Sequence, residues 1–309
     1  MNKGRKVLIT GSSGMIGTAL CEELMWGEYR VTGADLRHNK WSEDVDRATL
    51  ICDLRARSSF DMLPKDIDMV VHLAANARVF YTVVEPALAR DNFEMLFNVL
   101  EFSRLSNIRR SIFASSREVY GDPDKVSLRE DEVTLSNCRS PYAATKIAAE
   151  ALVTAYHHSY AIAPIVLRFS NVYGKYDDSD RVIPLFIRQA WKGEDLTVFG
   201  REKLLDFTYI SDCVDGIMRC IERFDKVKGR VFNIASGKGT TLLQLASNIQ
   251  NAVGARGEII VKESRAGEAT KFVADVSRAK ELLGYEPRVS LEDGIDRTIR
   301  WYRDVNASG

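Results

Sequence analysis

The feature that constrains this chain most is a glycine triplet, Gly11, Gly14 and Gly17, set between the apolar run Lys6-Val-Leu-Ile-Thr10 and a helical stretch from Met15 to Met25. A strand that must turn into a helix within so few residues needs positions without a Cβ. Gly11 suits the turn, Gly14 a close approach of backbone to a ligand, and Gly17 tight packing of helix on strand. Further short apolar runs (Tyr29–Asp35, Ile67–Ala75, Arg109–Ser116, Ala163–Ser170) alternate with helical patterns at Leu88–Leu105 and Tyr142–Tyr160. Strands separated by helices are joined by crossovers, so they lie parallel, and the ligand crevice falls at their carboxyl ends.

The expected fold is therefore α/β, a Rossmann-type doubly wound parallel sheet. After Asn171 the alternation breaks into mixed pieces, Val182–Gly193, Leu196–Gly200, Leu204–Ile210, Val231–Ser236 and a terminal helix near Asp293–Tyr302. They predict a smaller mixed α/β substrate-binding region. The expected division is residues 1–174 for the dinucleotide domain and 175–309 for the substrate side, with about 205–226 returning to the first domain.

Lys plus Arg and Asp plus Glu both number 43, so no overall field draws the protein to nucleic acid, and an anionic ligand must be captured locally. A helix start does this through its N–H groups and dipole. The loop residues Gly11, Ser13, Gly14, Met15, Ile16 and Gly17 are thus candidate pyrophosphate contacts, and Asp35 ends the next strand where a carboxylate meets ribose hydroxyls. That carboxylate favours NAD over its 2′-phosphorylated form. Asp53 and Leu54 follow a further short strand and could bond adenine or simply form a turn.

The five cysteines are scattered and form no C-x-x-C, so neither a disulfide framework nor a metal site is expected. They suit a reducing cytoplasm. No apolar run is long enough to cross a membrane, and the N-terminus lacks a signal-peptide core.

Tyr142 and Lys146 lie four residues apart on a predicted helix, one turn apart on one face. A phenol titrating near pH 10 needs nearby positive charge to act as a base at neutral pH. The preceding strand ends in Ala114-Ser-Ser116-Arg-Glu118-Val-Tyr120-Gly121 and brings hydroxyls to the crevice edge.

Together these motifs resemble the extended short-chain dehydrogenase/reductase family, in its NAD-dependent nucleotide-sugar epimerase and dehydratase branch, along nearly the whole chain. The resemblance implies that Ser116, Tyr142 and Lys146 are the catalytic trio. It implies that Leu73, Ala74 and Ala75 lie against NAD with Asn92 behind them, and that His72 is a packing residue. It assigns Asn171 and Arg265 to the nucleotide diphosphate, and Val182 and Phe199, within Val182–Phe186 and Leu196–Gly200, to the base. Where the family carries an arginine, this chain has Leu205, and Arg201 or Lys203 is expected to reach the phosphate instead. Family dehydratases place Asp and Glu where Arg117 and Glu118 stand, so the implied activity is 4-epimerisation of a UDP-sugar, with Glu118 keeping dehydration or decarboxylation as alternatives. A net reductase and a catalytically idle NAD-binding sensor are the other rivals. Family likeness also implies a homodimer through Leu88–Leu105 and Tyr142–Tyr156.

Overall fold

Strands covered on both faces read as unbroken apolar runs, and Val7, Leu8 and Ile9 are all fully buried. The computed structural model describes residues 4–123, 125–263 and 271–307. The first half runs β1 (Lys6–Thr10), α1 (Met15–Trp26), β2 (Arg30–Asp35), α2 (Glu43–Arg47), β3 (Thr49–Ile51), β4 (Met69–His72), α3 (Val79–Val84), α4 (Ala87–Leu105), β5 (Arg110–Ser116), β6 (Ser127–Leu128), α5 (Pro141–Tyr160) and β7 (Ala163–Phe169). The second half runs β8 (Asn171–Tyr173), α6 (Val182–Trp191), β9 (Leu196–Phe199), β10 (Leu204–Tyr209), α7 (Ile210–Glu222), α8 (Phe224–Val227), β11 (Val231–Ile234), β12 (Gly239–Thr241), α9 (Leu242–Val253), β13 (Ile259–Lys262), β14 (Val273–Ala274), α10 (Ser277–Leu283) and α11 (Leu291–Ala307).

Seven strands form one parallel sheet in the order β11-β7-β5-β4-β1-β2-β3. Because β1 lies between β2 and β4, the chain reverses its direction of travel across the sheet at β1, and a crevice opens above the ends of β1 and β4. Side chains alternate between faces. Val7 and Ile9 join the core beneath α1 and α7, whereas Leu8 packs with Val99 and Phe102 of α4. The Rossmann-type sheet is as the sequence predicts.

One strand departs from the expected division. Val231–Ser236 reads as part of the substrate side, yet β11 pairs in parallel with β7 and completes the main sheet, with Phe232 and Ile234 wholly buried. A short apolar run carries no mark of which sheet it joins. The segment expected to return, about 205–226, is split: β10 belongs to a small sheet with β8 and β12, while α7 packs on α1. Two further two-stranded sheets, β13-β9 and β14-β6, build the rest of the second half. No described helix is long and apolar enough to cross a membrane.

Candidate active site

The glycine loop has the shape its residues demand. Gly11 sits at φ +76°, and a Cβ there would lie 2.7 Å from the Ala74 amide nitrogen, so the loops after β1 and β4 touch across the crevice floor. A Cβ at Gly17 would strike the Gly11 carbonyl, so this glycine lets α1 pack on the turn itself rather than on the strand. Gly14 caps α1 with no side chain bonded to the first-turn amides, and Met15 and Ile16 follow at the helix start. An uncapped twelve-residue helix, reached through a turn that excludes side chains, fits a pyrophosphate.

Asp35, at the tip of β2, accepts from the amides of Ser13 and Arg37, both at 3.0 Å, which ties the ribose-side carboxylate to the phosphate-side loop. Leu73, Ala74 and Ala75 line the loop after β4, and the amide of Leu73 bonds to Thr10 O at 3.0 Å. The Asn92 carboxamide accepts from Asn76 N at 2.6 Å and donates to Asn76 O at 3.2 Å, so it braces that loop. Asp53 sits in the turn that follows β3. Both its oxygens accept from Arg55, which also reaches Asp91, and this pairing lowers the Asp53 pKa. The Leu54 carbonyl accepts from Asn98 at 3.0 Å. An adenine contact at this turn competes with bonds inside the chain.

Ser140 caps α5 by accepting from Ala143 N at 3.1 Å, and Pro141 fixes the first turn, so the helix begins one residue before Tyr142. That start brings the phenol to the end of β5, where the Ser116 side chain acts on it. Ser116 Oγ accepts from Glu118 N at 3.2 Å, which fixes its rotamer. One turn on, Lys146 Nζ donates to Ala114 O at 2.7 Å and lies 5.8 Å from the Tyr142 ring centre. Tyr142 and Lys146 are both buried.

Burial dominates the titration of both groups. It pushes the phenol up to about 12, against the lowering effect of the Ser116 bond, and pulls the ammonium down to about 8, against the attraction of Glu150. The lowering of the phenol expected from nearby positive charge is thus not supplied by the protein alone. Among the charges acting on the phenol, Glu118 raises it further and Arg181 and Arg117 lower it. His72 is a packing residue, as expected: it is buried, stacks on Phe113, bonds Thr10 Oγ1 at 2.7 Å and is held neutral, its pKa pushed down to about 3 by burial and by Lys146.

On the substrate side, Asn171 stands at the head of β8, its carboxamide accepting from Arg117 Nε at 3.3 Å and donating to Asp206 O at 2.9 Å. Val182 opens α6 and Phe199 ends β9. Leu205 is buried in the core, so the position of the missing arginine points away from solvent. Of the two suggested replacements, Arg201 is exposed and Lys203 is buried, and both line an open cavity of ≈ 460 Å³ shared with Lys262. Arg265 lies outside the described residues. The candidate catalytic trio is therefore brought together at the end of β5.

Residues 7–235 match the profile of the NAD dependent epimerase/dehydratase family. The chain belongs to this family. It is 33% identical to an uncharacterized UDP-glucose epimerase of Bacillus subtilis over 96% of this chain and 97% of that one. Its fold superposes on the UDP-glucose 4-epimerase of Thermotoga maritima, solved with UDP-glucose, with a TM-score of 0.90 at 30% identity, covering 97% and 99% of the two chains. MoeE5, solved with UDP-glucuronic acid and NAD, is similar at TM-score 0.89 and 31% identity, covering 97% and 99%. NAD is the cofactor of this epimerase/dehydratase.

In this family member the supports behind the trio escaped the sequence motifs. Glu150, one turn beyond Lys146, accepts from Ser115 Oγ at 2.5 Å and from Arg168 at 2.9 and 2.7 Å. The i, i+4 spacing from Lys146 is the signal that could have found it. Asp206 is wholly buried and accepts from Ser236 N and Gly237 N at 2.9 Å, which fixes the turn after β11 beside β10. No local pattern marks that role.

Proposed function

We propose that this epimerase/dehydratase interconverts the C4 epimers of a UDP-linked sugar through a transient 4-keto sugar, acting on the UDP-glucose, UDP-glucuronate or UDP-N-acetylglucosamine type. The observation that carries the reading is the buried Tyr142 phenol set against Ser116 at the end of β5, with the buried Lys146 one helical turn behind it. When bound, NAD supplies the hydride acceptor and a positive charge beside the phenol. The Tyr142 oxygen takes the proton of the C4 hydroxyl and later returns it, and Ser116 Oγ holds the same sugar oxygen. Lys146, anchored on Ala114 O, keeps a cation one helical turn behind the phenol. Gly11, Gly14 and Gly17 and the start of α1 hold the cofactor phosphates, and Asp35 its ribose.

Dehydration or decarboxylation would need Glu118 as a free acid or base. Its carboxylate is paired with Arg117 at 2.8 Å and buried, which favours simple epimerisation. The intact trio speaks against an idle NAD-binding sensor. For the assembly we propose a homodimer in the cytoplasm, supported by the exposed rings of Phe93, Phe97 and Tyr160 on α4 and α5.

The test is to incubate purified protein without added cofactor with UDP-glucose, UDP-glucuronate and UDP-N-acetylglucosamine, and to read products by NMR. A C4 epimer is the expected product. A dehydrated keto sugar or a pentose would overturn the epimerase reading.

A further inference from the structure

Arg117 follows Ser116 directly and is nearly as buried as Tyr142 and Lys146, its side chain 11% exposed. A guanidinium offers five N–H bonds in a planar fork. Nε donates to Asn171 Oδ1 at 3.3 Å and Nη2 pairs with Glu118 Oε1 at 2.8 Å, while Nη1 is buried with no hydrogen-bond partner among the described residues. The Phe272 ring lies 5.7 Å from the guanidinium carbon and helps to hold its plane. A buried, oriented charged group with an unused edge is costly to keep unless a ligand completes it.

We infer that Arg117 is a specificity-determining residue that receives a carboxylate at C6 of the sugar, and that the substrate class is a nucleotide hexuronate. The inference rests on the epimerase reading, which puts the C4 oxygen at Ser116. Two kinds of anionic group on such a substrate could answer a cation there. The diphosphate hangs from C1, on the side given to Asn171, and the Arg117 Nε that faces Asn171 is already bonded there, so the unpartnered Nη1, on the other side of the fork, is left for a different group. C6 hangs from C5, the ring atom bonded to C4, and it carries charge only when oxidised to a carboxylate. A guanidinium edge meets that group with paired, charge-assisted hydrogen bonds, whereas a neutral CH₂OH leaves the charge unanswered.

The test measures binding of UDP-glucuronate and of UDP-glucose to the NAD-bound protein by calorimetry, with turnover followed in parallel by NMR. The wild type should bind the hexuronate roughly tenfold or more tighter than the hexose, and Arg117→Gln should collapse that ratio towards one. The double variant Arg117→Gln/Glu118→Gln, which leaves no unpaired carboxylate, should show the same collapse if the single variant melts. Equal affinity for both sugars in the wild type, or a ratio unchanged in the variants, overturns the inference while leaving epimerisation of a neutral sugar intact. A hexuronate preference that depends on Arg117 but yields a pentose or dehydrated product upholds the role of Arg117 and overturns the epimerase reading. Binding of neither sugar overturns both.

Discussion

Arg168 of β7 donates through Nε and Nη2 to the two carboxylate oxygens of Glu150 on α5, at 2.9 and 2.7 Å, and so fixes the helix that carries Tyr142 and Lys146 to the strand beside β5. The same guanidinium bonds Tyr120 Oη and Glu130 O, and the pairing keeps it charged despite burial. Removing one member of such a pair leaves the other charge buried and unpaired. Arg168→Met should lower folding stability by roughly 3–5 kcal/mol, and Arg168→Met/Glu150→Met should recover part of that loss. Urea unfolding midpoints check this, and a single-variant loss below about 1 kcal/mol would show that the pair does not hold α5 in place.

Lys146 gives the fold a definite alkaline behaviour. Its folded pKa of about 8 lies below the ordinary 10.5, so between those values the unfolded chain binds a proton that the folded one does not, and stability rises with pH. Relative to Lys146→Met, the wild type should gain roughly 3 kcal/mol between about pH 7 and pH 10.5. Denaturation of both proteins across that range provides the comparison. A constant difference would mean that the buried amine titrates normally.

His72 acts at the other end of the scale. Burial holds its folded pKa at about 3 against an ordinary 6.5, so below 6.5 the unfolded chain takes up a proton and stability is lost until the pH nears 3. The full loss from this one group is roughly 4–5 kcal/mol. His72→Gln should have a shallower acid limb than the wild type in a pH series of thermal melts, and parallel limbs would assign acid unfolding to other groups.

Tyr142→Phe keeps the buried ring and removes only the proton-carrying oxygen. Turnover of the epimerised sugar should fall by roughly 10³-fold, whereas Ser116→Ala, which leaves the phenol in place, should cost less, about 10²-fold. Calorimetry should show UDP-sugar binding retained in both, which separates chemistry from folding. Near wild-type turnover in Tyr142→Phe would remove the tyrosine from the mechanism.

Much of the site was legible because its chemistry is written at short range. Gly11 must be free of a Cβ for the turn to clear Ala74, and Tyr142 and Lys146 are aligned by the pitch of α5 alone. The rotamer of Ser116 follows from the turn it caps. Asp53 was less legible, since a carboxylate after a strand looks the same whether it faces a ligand or Arg55.

The sequence by itself determined the alternation of strands and helices, the glycine turn and the Tyr-Lys spacing, because each depends on backbone sterics and helical period within a few residues. Only the tertiary structure decided that β11 joins the main sheet, that Glu150 meets Arg168, that Asp206 anchors the turn at Ser236 and Gly237, and that Arg117 lies against Phe272 with one edge unpaired. These contacts join residues far apart in the chain. Which of them meet is set by the order of strands in a sheet and by the burial of charge, and neither is encoded in any local run of residues.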